Sequence, residues 1–277
     1  MSTALTAAPP LPAPAYPAPL RYELREVDGR CLLAADPPGG ARIVEALGEV
    51  ATADHIAVLV PGAGHDQESY LRRDGPGSLR GTGLRVLRTM QQLAPRSAVA
   101  VVLWVGYHTP PGLFAAASIL PAQAGAADLA RLTHFLPQAA HVTLVGHSYG
   151  STVSGLALAA SRAADCVALG SPGMGVRSRA ELGTGAHLWA AQADSDWIRF
   201  FPRTRLGPYG LGRAPLHPAI GATRVSAGTV VGHTSYYDPG SESLRNVARI
   251  AVGRYDEVTS AGTVPAAPVE LEERVAA

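Results

Sequence analysis

Gly146-His147-Ser148-Tyr149-Gly150 constrains this chain more than any other stretch. It fits the Gly-x-Ser-x-Gly pattern, in which a strand turns sharply into a helix and lifts a serine hydroxyl clear of the backbone. The flanks suit that geometry. An apolar run, His141-Val142-Thr143-Leu144-Val145, leads in, and a small-residue helical stretch from Ser151 to Ala160 leads out. A serine hydroxyl is a weak nucleophile at neutral pH, so chemistry at Ser148 needs a base beside it and donors for an oxyanion. A helix N-terminus favours developing negative charge. The N–H of Tyr149, the residue after the serine, is one expected oxyanion donor.

The remaining parts should come from the ends of other strands. Ile56-Ala57-Val58-Leu59-Val60 reads as a buried parallel strand, and Pro61-Gly62-Ala63-Gly64-His65 follows at once. That turn is where the second donor belongs, and Ala63 is the expected one. An acid and a histidine should then follow in that order. Leu188-Trp189-Ala190-Ala191 reads as a strand leading to Asp194 and Asp196, and Arg224-Val225-Ser226-Ala227 as a strand leading to His233. His233 is the expected base and Asp196 the expected acid, with Asp194 the alternative acid. Either aspartate also suits a helix cap or turn. His217 is a rival base that precedes the last strand. His147 is expected to point away from the serine, and His65 to line the cleft.

Val145–Ser151, Gly170-Ser171-Pro172-Gly173, Asp196-Trp197-Ile198 and Gly232-His233-Thr234-Ser235-Tyr236-Tyr237 occur in that order. Together they resemble the actinobacterial α/β-hydrolase family first described as a domain of unknown function, DUF1023, over roughly residues 50–252. The resemblance implies an α/β-hydrolase fold with Ser148 as nucleophile, His233 as base and Asp196 as acid. It implies little about substrate. Ala63 departs from the bulkier residue expected there, which keeps the N–H donor and widens the acyl pocket.

The expected activity is cleavage of an ester-like acyl bond through an acyl-enzyme. A thioesterase or cyclase of a biosynthetic pathway would use the same three residues, and a non-catalytic binding scaffold would keep the fold, so the sequence leaves these alternatives open. A dinucleotide fold is disfavoured, because Gln67 stands where Gly-x-Gly-x-x-Gly needs its third glycine. A net charge of +1 points to neither nucleic acid nor an anionic membrane as partner. The expected partner is a small-molecule ester or thioester. All 23 basic residues are arginine, a bias that suits a GC-rich genome better than a phosphate site. Cys31 and Cys166 make no disulfide framework, no Cys/His cluster has zinc spacing, and neither metal nor cofactor is expected.

The hydrophobic content of 47% is ample for one sizeable core. Residues 1–20 are rich in alanine and proline and lack the basic and apolar regions of a signal peptide, so a disordered or polyproline-II arm and a cytoplasmic location are expected. Residues 21–252 should form one α/β domain with a mostly parallel sheet flanked by helices. Residues 253–277 should be a loose tail. Strands are expected at Tyr22–Val27, Cys31–Ala35, 55–60, Ala98–Trp104, 165–169, 187–191 and 223–227. Helices are expected at Leu79–Leu93, Ala126–Leu136, Ser178–Leu182 and Ser241–Val252. The stretch 170–186 is too short to hold an inserted lid domain, so the cleft is either open or covered by the long loops 107–125 and 199–222. The second loop carries Arg199, Arg203, Arg205 and Arg213. With Phe200, Phe201 and Tyr209 beside them it reads either as a recogniser of a carboxylate or phosphate on an aromatic substrate or, more blandly, as a solvated surface.

Overall fold

Val99-Ala100-Val101-Val102-Leu103-Trp104-Val105 is buried at every position, the mark of a strand covered on both faces. In the computed structural model, which describes residues 18–72, 75, 77–112, 115–201 and 207–261, it lies inside a nine-stranded sheet. The strands are β1 (Arg25–Val27), β2 (Arg30–Ala35), β3 (Ile43–Leu47), β4 (His55–Val60), β5 (Val99–Val105), β6 (His141–His147), β7 (Asp165–Leu169), β8 (His187–Ala191) and β9 (Thr223–Arg224). Their order is β1-β2-β3-β5-β4-β6-β7-β8-β9. The first three pair antiparallel, and β3 joins β5 antiparallel. From β5 to β9 every pairing is parallel.

Side chains alternate between faces along each strand. In β4, Ile56, Val58 and Val60 enter one core while Ala57 and Leu59 enter the other. Helices α3 (Leu120–Phe135) and α4 (Tyr149–Ala157) cover the first face, and α2 (Leu79–Leu93) and α6 (Glu242–Ala251) cover the second. Two short helices, α1 (Gln67–Arg72) and α5 (Arg179–Leu182), sit in connections. Ser78 caps α2 by accepting the Gly81 N–H at 2.9 Å. The close approach of α2 to the sheet requires Gly83, where a Cβ would stand 2.6 Å from a Leu103 methyl.

The structure departs from several expectations, each for a local reason. Strand β3 has no counterpart in the sequence reading. Its apolar run is broken by Glu45, which is 1% exposed yet held by Arg30 at 3.0 Å, Arg80 at 2.9 Å and the Tyr70 hydroxyl at 2.5 Å. The first strand is confined to Arg25–Val27, shorter than Tyr22–Val27. Helix α3 begins at Leu120 and not at Ala126, because Pro121 sits in its first turn, where its missing N–H does no harm. The long 107–125 loop is shortened accordingly. Strand β9 holds only two residues, after which Val225 pairs antiparallel with Ser260.

That pairing also corrects the loose tail for residues 254–261. Thr259 gives its carbonyl to the Ser226 N–H at 2.8 Å, and Asn246 bonds both segments. Of the expected N-terminal arm, residues 1–17 lie outside the described residues, and Leu20 is buried with its N–H on Asp128. Both cysteines are free thiols, and burial pushes that of Cys166 up to about 12. Among the described residues no helix is long and apolar enough to cross a membrane, and no cluster of three or more His, Cys, Asp or Glu is placed to hold a metal.

Candidate active site

The end of β6 carries the conformational outlier that organises the site. Ser148 has φ 53° and ψ −129°, and Asp28 is the one other non-glycine residue with positive φ among those described. An L-residue is strained there, so the surroundings must hold it. The Ser148 N–H is fixed to the Leu169 carbonyl of β7 at 2.9 Å. The Ser151 hydroxyl bonds the Ser148 carbonyl and the Ser171 hydroxyl, both at 2.6 Å.

The two flanking glycines are explained by contact. A Cβ on Gly146 would stand 2.5 Å from the Ser151 Cα, and one on Gly150 would stand 2.1 Å from the Val60 carbonyl oxygen. The second contact seats the elbow against the end of β4. The turn that follows β4 lies beside the serine, since a Cβ on Gly62 would approach Ser148 Cβ to 2.8 Å and Oγ to 3.2 Å. Tyr107, buried and stacked on Tyr149, braces this turn by donating to the Pro61 carbonyl at 2.8 Å. Both expected oxyanion donors thus belong to segments that flank Ser148. Tyr149 opens α4, and Ala63 follows Gly62.

The loop ends of β8 and β9 bring in the polar partners. His233 Nε2 is 2.8 Å from Ser148 Oγ, and His233 Nδ1 is 2.9 and 3.0 Å from the two Asp196 oxygens. A carboxylate only accepts, so Nδ1 carries the proton and Nε2 is left to accept the serine O–H. Asp196 is fully buried. It also accepts the Ile198 N–H at 2.9 Å, capping the 3-10 turn Trp197–Phe200, and the Tyr236 hydroxyl at 2.7 Å. The cap and histidine-partner readings of Asp196 are therefore one geometry. Burial alone would raise the pKa of Asp196, but the bonds from His233, the Ile198 N–H and Tyr236 outweigh it and hold the pKa below the usual carboxylate range.

Asp194, the alternative acid, is fully exposed and faces Arg199 at 3.9 Å. His217 lies apart, its ring bonded by Arg213 at 2.7 Å and by the Ala219 N–H at 3.0 Å. His147 is closer to the site than its expected outward orientation suggests. Its Nε2–H donates to the His233 carbonyl at 2.7 Å, and the two ring centroids are 4.9 Å apart. Burial first, and the neighbouring His233 second, pull its pKa down to about 4, so it stays neutral. His65 is tied to Thr109 at 3.1 Å through its N–H.

Tyr236 escaped the sequence reading as a functional residue. Its signal is present, three residues after His233 within the Gly232–Tyr237 run, but nothing in the pattern says that its hydroxyl reaches back to Asp196. Burial pushes that hydroxyl far above its ordinary pKa, so it remains a donor. A Cβ on Gly170 would stand 2.7 Å from Asp196 Oδ2 and 3.2 Å from His233 Nδ1, so glycine is required under the pair.

A short loop with helix α5 fills the interval between β7 and β8, and no lid domain is inserted. The two long loops meet instead. Ser118 pairs with Tyr209, and the Ile119 N–H donates to the Pro208 carbonyl at 2.9 Å. Arg203 and Arg205 lie outside the described residues, Arg199 donates to the Asp194 carbonyl at 2.6 Å, and Arg213 holds His217.

A family model described as "Alpha/beta hydrolase" matches residues 36–206. The chain belongs to the alpha/beta hydrolase family. The uncharacterized protein Rv2079 of Mycobacterium tuberculosis is 30% identical over 269 residues, covering 83% of this chain and 40% of that protein. The uncharacterized protein Mb0988c of Mycobacterium bovis is 37% identical over 92 residues, 31% of this chain and 35% of that one. This alpha/beta hydrolase therefore spans about 40% of the length of the first of these relatives. Among solved structures, a Trichoderma reesei cutinase in complex with a phosphonate inhibitor aligns with TM-score 0.45 and 16% identity, over 74% of this chain and 78% of that one. XC6422 from Xanthomonas campestris, described as a serine hydrolase without lid, aligns with TM-score 0.44 and 16% identity, over 88% and 98%.

Proposed function

We propose that this alpha/beta hydrolase cleaves a carboxylic ester or similar acyl bond through a covalent intermediate on Ser148. The observation that carries the reading is the 2.8 Å contact between Ser148 Oγ and His233 Nε2, made by a serine held at φ 53°. In the first step the Ser148 oxygen bonds to the substrate carbonyl carbon while its proton passes to His233 Nε2. Asp196 keeps the Nδ1 proton in place and stabilises the imidazolium. The Tyr149 and Ala63 N–H groups receive the oxyanion, and each such donor is worth about 10²–10³ in rate. The bond to the leaving group then breaks, and His233 gives its proton to the departing oxygen. Water follows the same route in reverse roles: its oxygen bonds to the acyl carbon as its proton passes to His233 Nε2, the bond between that carbon and Ser148 Oγ then breaks, His233 returns the proton to Oγ, and the acid is released.

A fluorophosphonate probe followed by peptide mass spectrometry tests this directly. Labelling should fall on Ser148 and vanish in Ser148→Ala and in denatured protein. Full ester hydrolysis by the Ser148→Ala variant would overturn the assignment.

A further inference from the structure

Two rings lie against His233 at a centroid distance of 4.9 Å, His147 and Trp197. Trp197 is the more exposed of the two, at 43%. It opens the 3-10 turn Trp197–Phe200, whose three-residue period sets the first and fourth side chains on one face. The fourth is Phe200, 78% exposed, while Ile198 between them is buried. The Arg199 guanidinium lies over the Phe200 ring at 5.2 Å. Val231, two residues before His233 on the loop that follows β9, is 72% exposed. Large apolar side chains exposed to this degree beside a polar catalytic group are poorly accounted for by folding alone, because Trp197 and Phe200 would be less costly in the core or replaced by polar residues.

The chemistry assigns a side to this surface. On the proposed mechanism, the oxygen that leaves must come within hydrogen-bond reach of His233 Nε2 to take its proton. The leaving group is therefore on the histidine side of the scissile carbonyl, whereas the oxyanion lies toward Tyr149 and Ala63. We infer that Trp197 and Phe200, with Val231, form the wall against which the alcohol portion of the substrate packs, and that this portion is apolar and bulky, such as an aryl or benzyl alcohol. This rests on the serine-hydrolase reading above. The wall adds no bond-making step. It holds the alcohol while its C–O bond breaks and its oxygen accepts the proton from His233.

Two acetate esters, benzyl and methyl, isolate the leaving group at constant acyl chain. A second pair, methyl acetate and methyl octanoate, isolates the acyl chain at constant leaving group. In Phe200→Ala and Trp197→Ala the benzyl-to-methyl ratio of kcat/KM should fall, by about tenfold in the double variant, a typical worth of an aromatic contact. The octanoate-to-acetate ratio should stay within about twofold of the parent, well short of that tenfold. Phe200→Ala guards against a folding artefact, since that side chain is largely solvent-exposed and its ring meets the Arg199 guanidinium. An unchanged benzyl-to-methyl ratio in a variant that still labels with fluorophosphonate would overturn the inference and leave the serine-hydrolase reading intact, as would a change confined to acyl length. Failure of the parent protein to label would remove both.

Discussion

The sheet has a buried aspartate at each end, and the two are built alike. At the C-terminal ends of the strands Asp196 holds His233, the Tyr236 hydroxyl and the Ile198 N–H. At the N-terminal ends Asp165 faces His141 at 2.8 Å and accepts the Trp189 indole N–H and the Tyr255 hydroxyl, both at 2.7 Å. Both carboxylates are fully buried. What separates them is the far side of the histidine. His233 offers its second nitrogen to a serine hydroxyl held in a strained turn, whereas the His141 ring stands 5.7 Å from that of His55 and 6.4 Å from that of Tyr255. A buried Asp–His pair is thus no indication of catalysis by itself. The strained serine and the strand end from which the loops emerge are what distinguish the site.

The comparison breaks if the two ends respond alike to substitution. The largest effect is expected from Ser148→Ala, on the order of 10⁴–10⁶ in kcat by steady-state ester hydrolysis. Asp196→Asn should reduce kcat by about 10³–10⁴, because the amide no longer enforces the tautomer that leaves Nε2 free to accept. Asp165→Asn should do the opposite in kind. Loss of a buried acceptor costs about 1–3 kcal/mol, or several degrees in Tm, with kcat per folded molecule unchanged. A stable Asp165→Asn protein without activity would end the distinction.

A subtler effect is expected from acid. His147 near the site and His55 at the opposite end both have lowered pKa values, through burial first and then a neighbouring histidine. The unfolded chain therefore binds protons that the fold does not, and stability falls as pH drops from about 6.5 toward 4. The depressed Asp196 pKa adds stability that is lost only lower, as pH falls through its folded value, below about 4. Thermal melts from pH 7 to 4 should show that decline. His147→Gln should flatten more of it than His55→Gln, since the His147 shift is the larger. Equal curves for parent and both variants would show that neither histidine is held neutral. The smallest expected change is in Tyr236→Phe, which removes one of the donors to Asp196 and should lower kcat by about tenfold or less.

Much of this was legible in the sequence. The glycines at 146 and 150, the strand before them and the order of Asp196 and His233 follow from local pattern, because each strand end is marked by an apolar run. Asp196 was distinguishable from Asp194 only by the Trp-Ile that follows it, and the fold gives the reason: the Ile198 N–H turns the carboxylate inward. Features that depend on distant partners were not legible. Glu45 hides β3 because its counter-charges come from Arg30 and Arg80, and Pro121 hides the start of α3 because proline reads as loop unless its place in the first turn is known. The role of Tyr236 and the docking of Thr259 and Ser260 likewise rest on contacts that no local periodicity announces.

The docking of Ser260 beside Val225 bears on time as well as space. A ribosome makes Ser148 first, Asp196 48 residues later and His233 37 residues after that, with the Thr259–Asn246 fastening later still. Ser148 therefore emerges well before the histidine that it meets in the fold. Its histidine arrives only when β9 is laid down, and the segment behind that histidine is fastened only once residue 260 is free to pair. A growing chain carries Ser148 without its histidine, and the contact between the two can form only when the far edge of the sheet has been made.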